Sequence, residues 1–85
     1  MSLILHNAVT RNDSINVNKL LNEKKVNVDN VDNEGKTSLF IASMTGNTGI
    51  ANILLDYGAD INHQSNNGTT PIFKAVQHGR EEMLN

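Results

Sequence analysis

The sequence predicts an all-α solenoid: stacked helix-turn-helix units joined by β-turn or hairpin loops. The first sign is a period. Gly35, Thr37, Leu39, Phe40, Ala42 and Gly46 are answered by Gly68, Thr70, Ile72, Phe73, Ala75 and Gly79, each 33 residues on (68 − 35 and 79 − 46). The second is spacing, since the apolar residues of each copy fall three and four apart between turn residues. The third is size. Neither short helix of a copy can bury its apolar stripe alone, so the copies must stack.

Within the complete copy, residues 32–64, each element has a local cause. Asn33-Glu34-Gly35 is a turn sequence, and Asn66-Asn67-Gly68 repeats it. Glycine there supplies the positive φ of a tight turn. Thr37 and Thr70 stand just ahead of apolar runs, where a hydroxyl can accept from the free N–H groups of a helix start. Pro71 is placed as a first helical residue, where its missing N–H is harmless, and Ser38 holds that place in the earlier copy. A first helix is expected over 38 to 45, with Leu39 and Ala42 inward and Gly46 ending it. A second is expected over 48 to 57, with Ile50, Ile53, Leu54 and Leu55 as its stripe and Gly58 just past its end. Ile61, the large apolar group of the following loop, is expected to be buried.

Asp32, Gly35, Thr37, Leu39, Ala42, Gly46, Ile50, Leu54, Leu55, Gly58, Ala59, Asp60 and Asn62 resemble the ankyrin repeat pattern as they stand. Ile53 and Ile61 match conservatively. Departures are Ser38 for Pro, Phe40 and Phe73 for His, Ser43 for Ala, Asn47 for His and Ala51 for Val. In the family, the first of those histidines links neighbouring repeats by hydrogen bonds, so phenylalanine must act there by packing. The resemblance implies a generally non-catalytic, protein-binding fold that uses turn tips and the inner helix face. It also implies that Asn62 sits where some members are hydroxylated on asparagine. A side-chain bond from Asn62 to loop backbone is the stronger expectation.

The rest of a single domain, residues 1–85, follows from the same register. Residues 1–31 read as a divergent N-terminal capping repeat. Ala8, Asn12, Leu20 and Leu21 pair with Ala42, Gly46, Leu54 and Leu55 at an offset of 34, while Val26, Val28 and Asp29 pair with Ala59, Ile61 and Asn62 at 33. One extra residue is therefore expected between Asn22 and Lys25. Helices are expected over 2 to 11, carrying Leu3, Ile4 and Ala8, and over 13 to 23, carrying Val17, Leu20 and Leu21. Asp13 or Ser14 caps the second, whose outer face (Asn16, Asn18, Lys19, Glu23) is polar, as an array end requires. Residues 65–85 read as a truncated C-terminal repeat that stops inside its second helix. The expectation is an uncapped end exposing Phe73, Val76 and Met83, and so a fragment of a longer array or a self-associating protein.

Composition narrows the function classes. There is no Cys, hence no disulfide framework and no thiolate metal site. Seven basic and nine acidic residues are well mixed, for a net charge of −2, without the basic patch that nucleic acids need. No apolar run approaches the ~18 residues of a membrane span, and the N-terminus lacks the regions of a secretory signal. An intracellular, cytoplasmic protein is expected, and one secreted into a host cell would look the same. Catalytic constellations are poor. His6, His63 and His78 do not share metal spacing. Asp56 and Asp60 are separated by Gly58, and Glu81-Glu82 suits a helix start. Ser43 and Ser65 have no adjacent base. Gly46-Asn47-Thr48-Gly49 lacks the strand and lysine of a phosphate loop. No catalytic residue, cofactor or metal is assigned.

Binding remains. The positions free of core duty are Asn33, Glu34, Lys36, Met44 and Thr45 in the complete copy, and Asn66, Asn67, Thr69, Gln77 and His78 in the partial one. Tyr57, near a helix end, is added as an amphipathic anchor. The expected function is a non-catalytic interaction module for an unidentified protein partner, with homo-oligomer formation through the C-terminal end as the alternative. A catalytic role would need a separate domain.

Overall fold

The structure, a computed structural model, describes residues 3–71. These hold four helices: α1 (Ile4–Thr10), α2 (Ser14–Asn22), α3 (Ser38–Met44) and α4 (Thr48–Asp56). There is no strand among the described residues, only an isolated antiparallel bridge between Val31 and Thr37 at the base of a turn. Within each repeat the helices pack as α1–α2 and α3–α4. Between repeats α1 packs on α3 and α2 on α4. The result is the expected stack of helix-turn-helix units, with α1 and α3 in one layer and α2 and α4 in the other.

Three of the four helix N-termini, all but that of α1, share one solution. Asp13 caps α2 by accepting from Asn16 N–H at 3.1 Å, Thr37 caps α3 from Phe40 N–H at 3.2 Å, and Asn47 caps α4 from Ile50 N–H at 3.2 Å. At the C-termini, the residue just past the cap takes positive φ: Asn12 (59°), Lys24 (57°), Gly46 (73°) and Gly58 (88°). In each case paired backbone bonds run back into the last turn, as in Asn47 N–H to Ala42 C=O at 2.8 Å and Ala59 N–H to Leu54 C=O at 3.1 Å. This satisfies carbonyls that the helix leaves open.

These bonds also place the extra residue of the first repeat. Lys25 N–H bonds Leu20 C=O as Ala59 N–H bonds Leu54 C=O, so the offset is still 34 at Lys25. Asp29 N–H bonds Asn27 Oδ1 as Asn62 N–H bonds Asp60 Oδ1, so it is 33 from Asn27 onward. The insertion falls at Val26, not between Asn22 and Lys25. The helix-end motif is too constrained to absorb it, and the loop beyond is not.

The main core cluster draws equally on both repeats: Leu5, Ala8, Val9, Val17 and Leu21 from the first, and Leu39, Ala42, Ile50, Ala51 and Leu54 from the second. Three expectations change here. On α1 the buried face is Leu5, Ala8 and Val9, whereas Ile4 is 42% exposed. The helix starts one residue later than a Leu3–Ile4 stripe would need, and its register matches Leu5 to Leu39. On α4, Leu55 is exposed although its counterpart Leu21 is buried, and Ile61 is exposed although its counterpart Val28 packs on the core. Leu21 and Val28 are covered by the second repeat. Among the described residues no element lies beyond α4 to cover Leu55 and Ile61. Ala51, by contrast, is buried.

Pro71 is buried and helical directly after Thr70, as its fixed φ favours. Ser38, the residue in the equivalent place, is fully buried, and its Oγ lacks a hydrogen-bond partner. Thr37 before it is already extended (φ −81°, ψ 168°), the conformation that a following proline demands. Ser38→Pro should therefore stabilise the fold by about 1–2 kcal/mol, removing an unpartnered buried hydroxyl and stiffening the unfolded chain. Thermal unfolding followed by circular dichroism would register this as a rise of roughly 4–8 °C per kcal/mol.

Candidate protein-binding surface

The turn between Asp32 and Lys36 is built around one carboxylate. Asp32 Oδ1 accepts from Glu34 N–H and Lys36 N–H, both at 2.9 Å. The backbone closes with Asp32 N–H to Lys36 C=O and Gly35 N–H to Asp32 C=O, each 3.0 Å, and Gly35 sits at φ 75°. This leaves Asn33 and Glu34 exposed at the tip. Lys36 is half-buried, its Nζ 2.9 Å from Glu34 Oε1 and 5.6 Å from the centre of the buried Phe40 ring. An ion pair this exposed adds little stability; its effect is to give the tip adjacent charges of both signs.

The second tip has the same backbone pattern, Ser65 N–H to Thr69 C=O at 2.8 Å and Gly68 N–H to Ser65 C=O at 2.9 Å. Ser65 stands where Asp32 stands in the first, so a different acceptor is needed. Asn67 Oδ1 serves, taking Ser65 Oγ–H at 2.6 Å, Thr69 Oγ1–H at 2.7 Å and Thr69 N–H at 3.2 Å. Thr69 is accordingly half-buried.

The tips stack. Asn66 N–H donates to Glu34 C=O at 2.9 Å, and Asn66 Nδ2 donates to Asn33 C=O at 3.1 Å. Gly35 is buried beneath it, and a Cβ there would collide with Asn66 Oδ1 and crowd its backbone nitrogen. On the inner helices, Met44 is half-buried and Thr45 exposed, the latter donating its hydroxyl to Ile41 C=O at 3.0 Å.

The structure therefore divides the sequence-derived set. It brings Asn33, Glu34, Lys36, Asn66 and Asn67 together around one shallow cleft between the tips. Among the tip residues, the side chains of Asn66, Asn67 and Thr69 hydrogen-bond within the stack, and Lys36 pairs with Glu34. Tyr57 is elsewhere. It lines a separate cleft with Ile15, Asn18, Lys19 and Asn22, and its hydroxyl donates to Asn18 Oδ1 at 2.9 Å, tying α4 to α2. Gln77 and His78 lie outside the described residues, as do the self-association positions Phe73, Val76 and Met83. Asn62 is exposed, and it is its backbone N–H that bonds, to Asp60 Oδ1.

Two features escaped sequence reasoning. His6 is buried, and its Nε2 lies 2.8 Å from Lys36 C=O. A carbonyl only accepts, so Nε2 carries the proton. His6 stands at offset 34 from Phe40 (40 − 6), the position at which the repeat pattern calls for histidine. That offset was the available signal. Thr10 and Arg11, counterparts of Met44 and Thr45 by the same offset, are exposed on the inner helix of the first repeat and extend the surface.

Further bonds cross between repeats: Asp60 N–H to Asp29 Oδ1 at 2.9 Å, and Asn47 Nδ2 to Asn12 Oδ1. Among the described residues, no three His, Cys, Asp or Glu side chains are grouped to hold a metal ion. Nor is any helix there long and apolar enough to cross a membrane.

Helix pairs stacked in register, with turn tips bonded edge to edge, define a helical solenoid protein. A family model described as ankyrin repeats (3 copies) matches residues 4–85, and the chain belongs to the ankyrin repeat family. It is similar to the inactive serine/threonine-protein kinase TEX14 of Bos taurus, at 39% identity over 94% of this chain and 5% of that protein. It is also similar to the serine/threonine-protein kinase VIK of Arabidopsis thaliana, at 36% identity over 98% of this chain and 19% of that one. Among solved structures it resembles the ankyrin repeat protein EF0377, with a TM-score of 0.85 and 39% identity over 94% of this chain and 40% of the other. The chain thus spans a small part of these kinase relatives. Ankyrin repeats are in general protein–protein interaction modules, and the fold is generally non-catalytic.

Two substitutions test the stacking. His6→Ala should cost about 2–3 kcal/mol, combining a lost bond with a cavity, and His6→Phe should recover only the packing share. Urea midpoints of the three proteins measure the difference. Gly35→Ala, strained at positive φ and blocked by Asn66, should cost about 1–3 kcal/mol by the same titration.

Proposed function

We propose that this chain is a non-catalytic module that binds a protein partner through its turn tips and inner helix face. The observation that carries the reading is a division of labour. Asn33 and Glu34 project from a tip whose backbone is closed by Asp32, and Thr10, Arg11, Met44 and Thr45 lie on helices whose opposite faces form the core. All of these side chains but the half-buried Met44 are exposed, and all are held on a rigid base, so little ordering cost opposes binding. The surface combines amides, hydroxyls, both charges and one methionine, a mixture that suits a protein surface better than a polyanion. With a net charge of −2 and no basic stripe, nucleic acid is not the partner proposed. A sequence without cysteine is suited to an intracellular, cytoplasmic setting. The kinase relatives share only a fraction of their length with this chain, so their activities are not carried over.

The test is a triple variant, Asn33→Ala, Glu34→Ala and Met44→Ala, which spares the core and the buried bonds. Partners captured by cross-linking in cells and then titrated against purified protein should bind the variant at least about tenfold more weakly, a loss of about 1.4 kcal/mol. Its unfolding midpoint should stay near that of the parent. Equal binding by both proteins would remove the tips from the interface. Light scattering on the same samples reports any self-association through the Phe73, Val76 and Met83 end, which the triple variant should leave unchanged.

A further inference from the structure

We propose that Asn67 is a site of spontaneous modification, converting in the folded protein to aspartate and isoaspartate through a cyclic imide formed with Gly68. Of the fourteen asparagines, Asn67 is the one followed by glycine. It is exposed at the second tip. Asparagine is among the chemically labile residues, and an absent side chain on the next residue leaves its backbone nitrogen open to approach.

The two tips differ in the way that matters. Gly35 is covered by Asn66 of the neighbouring tip, and the residue before it is Glu34, which has no amide to lose. At Gly68 a Cβ would meet nothing within 4 Å, so solvent reaches this peptide. Asn67 Oδ1 meanwhile accepts three hydrogen bonds, from Ser65 Oγ, Thr69 Oγ1 and Thr69 N–H. Donors placed on that oxygen withdraw charge from Cγ and remain in position as negative charge develops on the oxygen. The bond to the Thr69 N–H also folds the side chain back over the peptide that must react. One contact opposes the step: Gly68 N–H donates to Ser65 C=O at 2.9 Å. It is a single bond in an exposed turn, of the kind that opens at low free-energy cost.

The chemistry needs only water. Gly68 nitrogen gives up its proton and attacks Cγ, forming the N–Cγ bond. The Cγ–Nδ2 bond breaks and ammonia leaves with a proton. Water then adds to one imide carbonyl. Opening at the Cγ–N bond yields aspartate. Opening at the original peptide bond yields isoaspartate, with the backbone now running through Cγ. Net charge moves from −2 to −3 (−2 − 1). Any effect on partner binding rests on the function proposed above, whereas the conversion does not.

The experiment is to hold the purified, folded protein in mildly alkaline buffer made with heavy-oxygen water. Ion exchange and peptide mapping then follow the products. The expected result is a growing acidic species whose label maps to position 67, as both isomers, with the remaining asparagines intact. The folded Asn67→Gln variant should not form it. An Asn67 that survives in the folded protein and converts only in urea would overturn the proposal. So would label spread over several asparagines at comparable rates.

Discussion

Both lone pairs of one backbone carbonyl, that of Lys36, are used, and the stack depends on it. One takes Asp32 N–H and closes the tip of the second repeat. The other takes His6 Nε2–H from the first repeat. Without that acceptor the buried His6 N–H would be left unpaired, at a cost comparable to a lost hydrogen bond. His6 thus ties the first repeat to the tip of the second, in the arrangement that packs α1 on α3 and α2 on α4. The main apolar cluster, drawn equally from both repeats, fills the space between them. Phe40, at the equivalent place, has no donor to offer the next tip. There the link passes to Asn66, whose backbone and side-chain amides reach the two carbonyls of Asn33 and Glu34.

This way of stacking decides which polar residues remain available. An asparagine at a tip can cap its own turn, hold the neighbouring tip, or face solvent. Asn67, Asn66 and Asn33 illustrate the three in turn. The same holds away from the tips. There Asn12, Asn18 and Asp29 bond to the second repeat through Asn47, Tyr57 and Asp60. Four asparagine side chains, those of Asn12, Asn18, Asn47 and Asn66, thus join repeats, and the surface left for a partner is smaller than the count of polar residues suggests.

Much of the fold was legible because its causes are local. Turn glycines, threonine caps, residues at positive φ and apolar spacing act over a few residues, so the four helices lie close to where the pattern places them. What was not legible depended on which neighbour covers a residue. Leu55 and Ile61 carry the same local signals as Leu21 and Val28, yet only the latter pair is covered by a following repeat among the described residues. His6 looked like an isolated histidine because its partner is a backbone oxygen thirty residues away, and backbone oxygens have no letter in a sequence. Tyr57 looked like a free anchor for a related reason, since its hydroxyl is engaged by Asn18 across the stack.

By itself, the sequence determined the repeat length, the positions of helices and turns, and membership in a helical solenoid class. These follow from periodicity and backbone preference, which each segment carries with it. Only the tertiary structure decided which tip residues are bound to the next tip, which apolar residues are covered, and that the extra residue sits at Val26. Those outcomes depend on contacts between repeats, where burial and hydrogen-bond satisfaction are shared by residues some thirty positions apart, and no local preference fixes them.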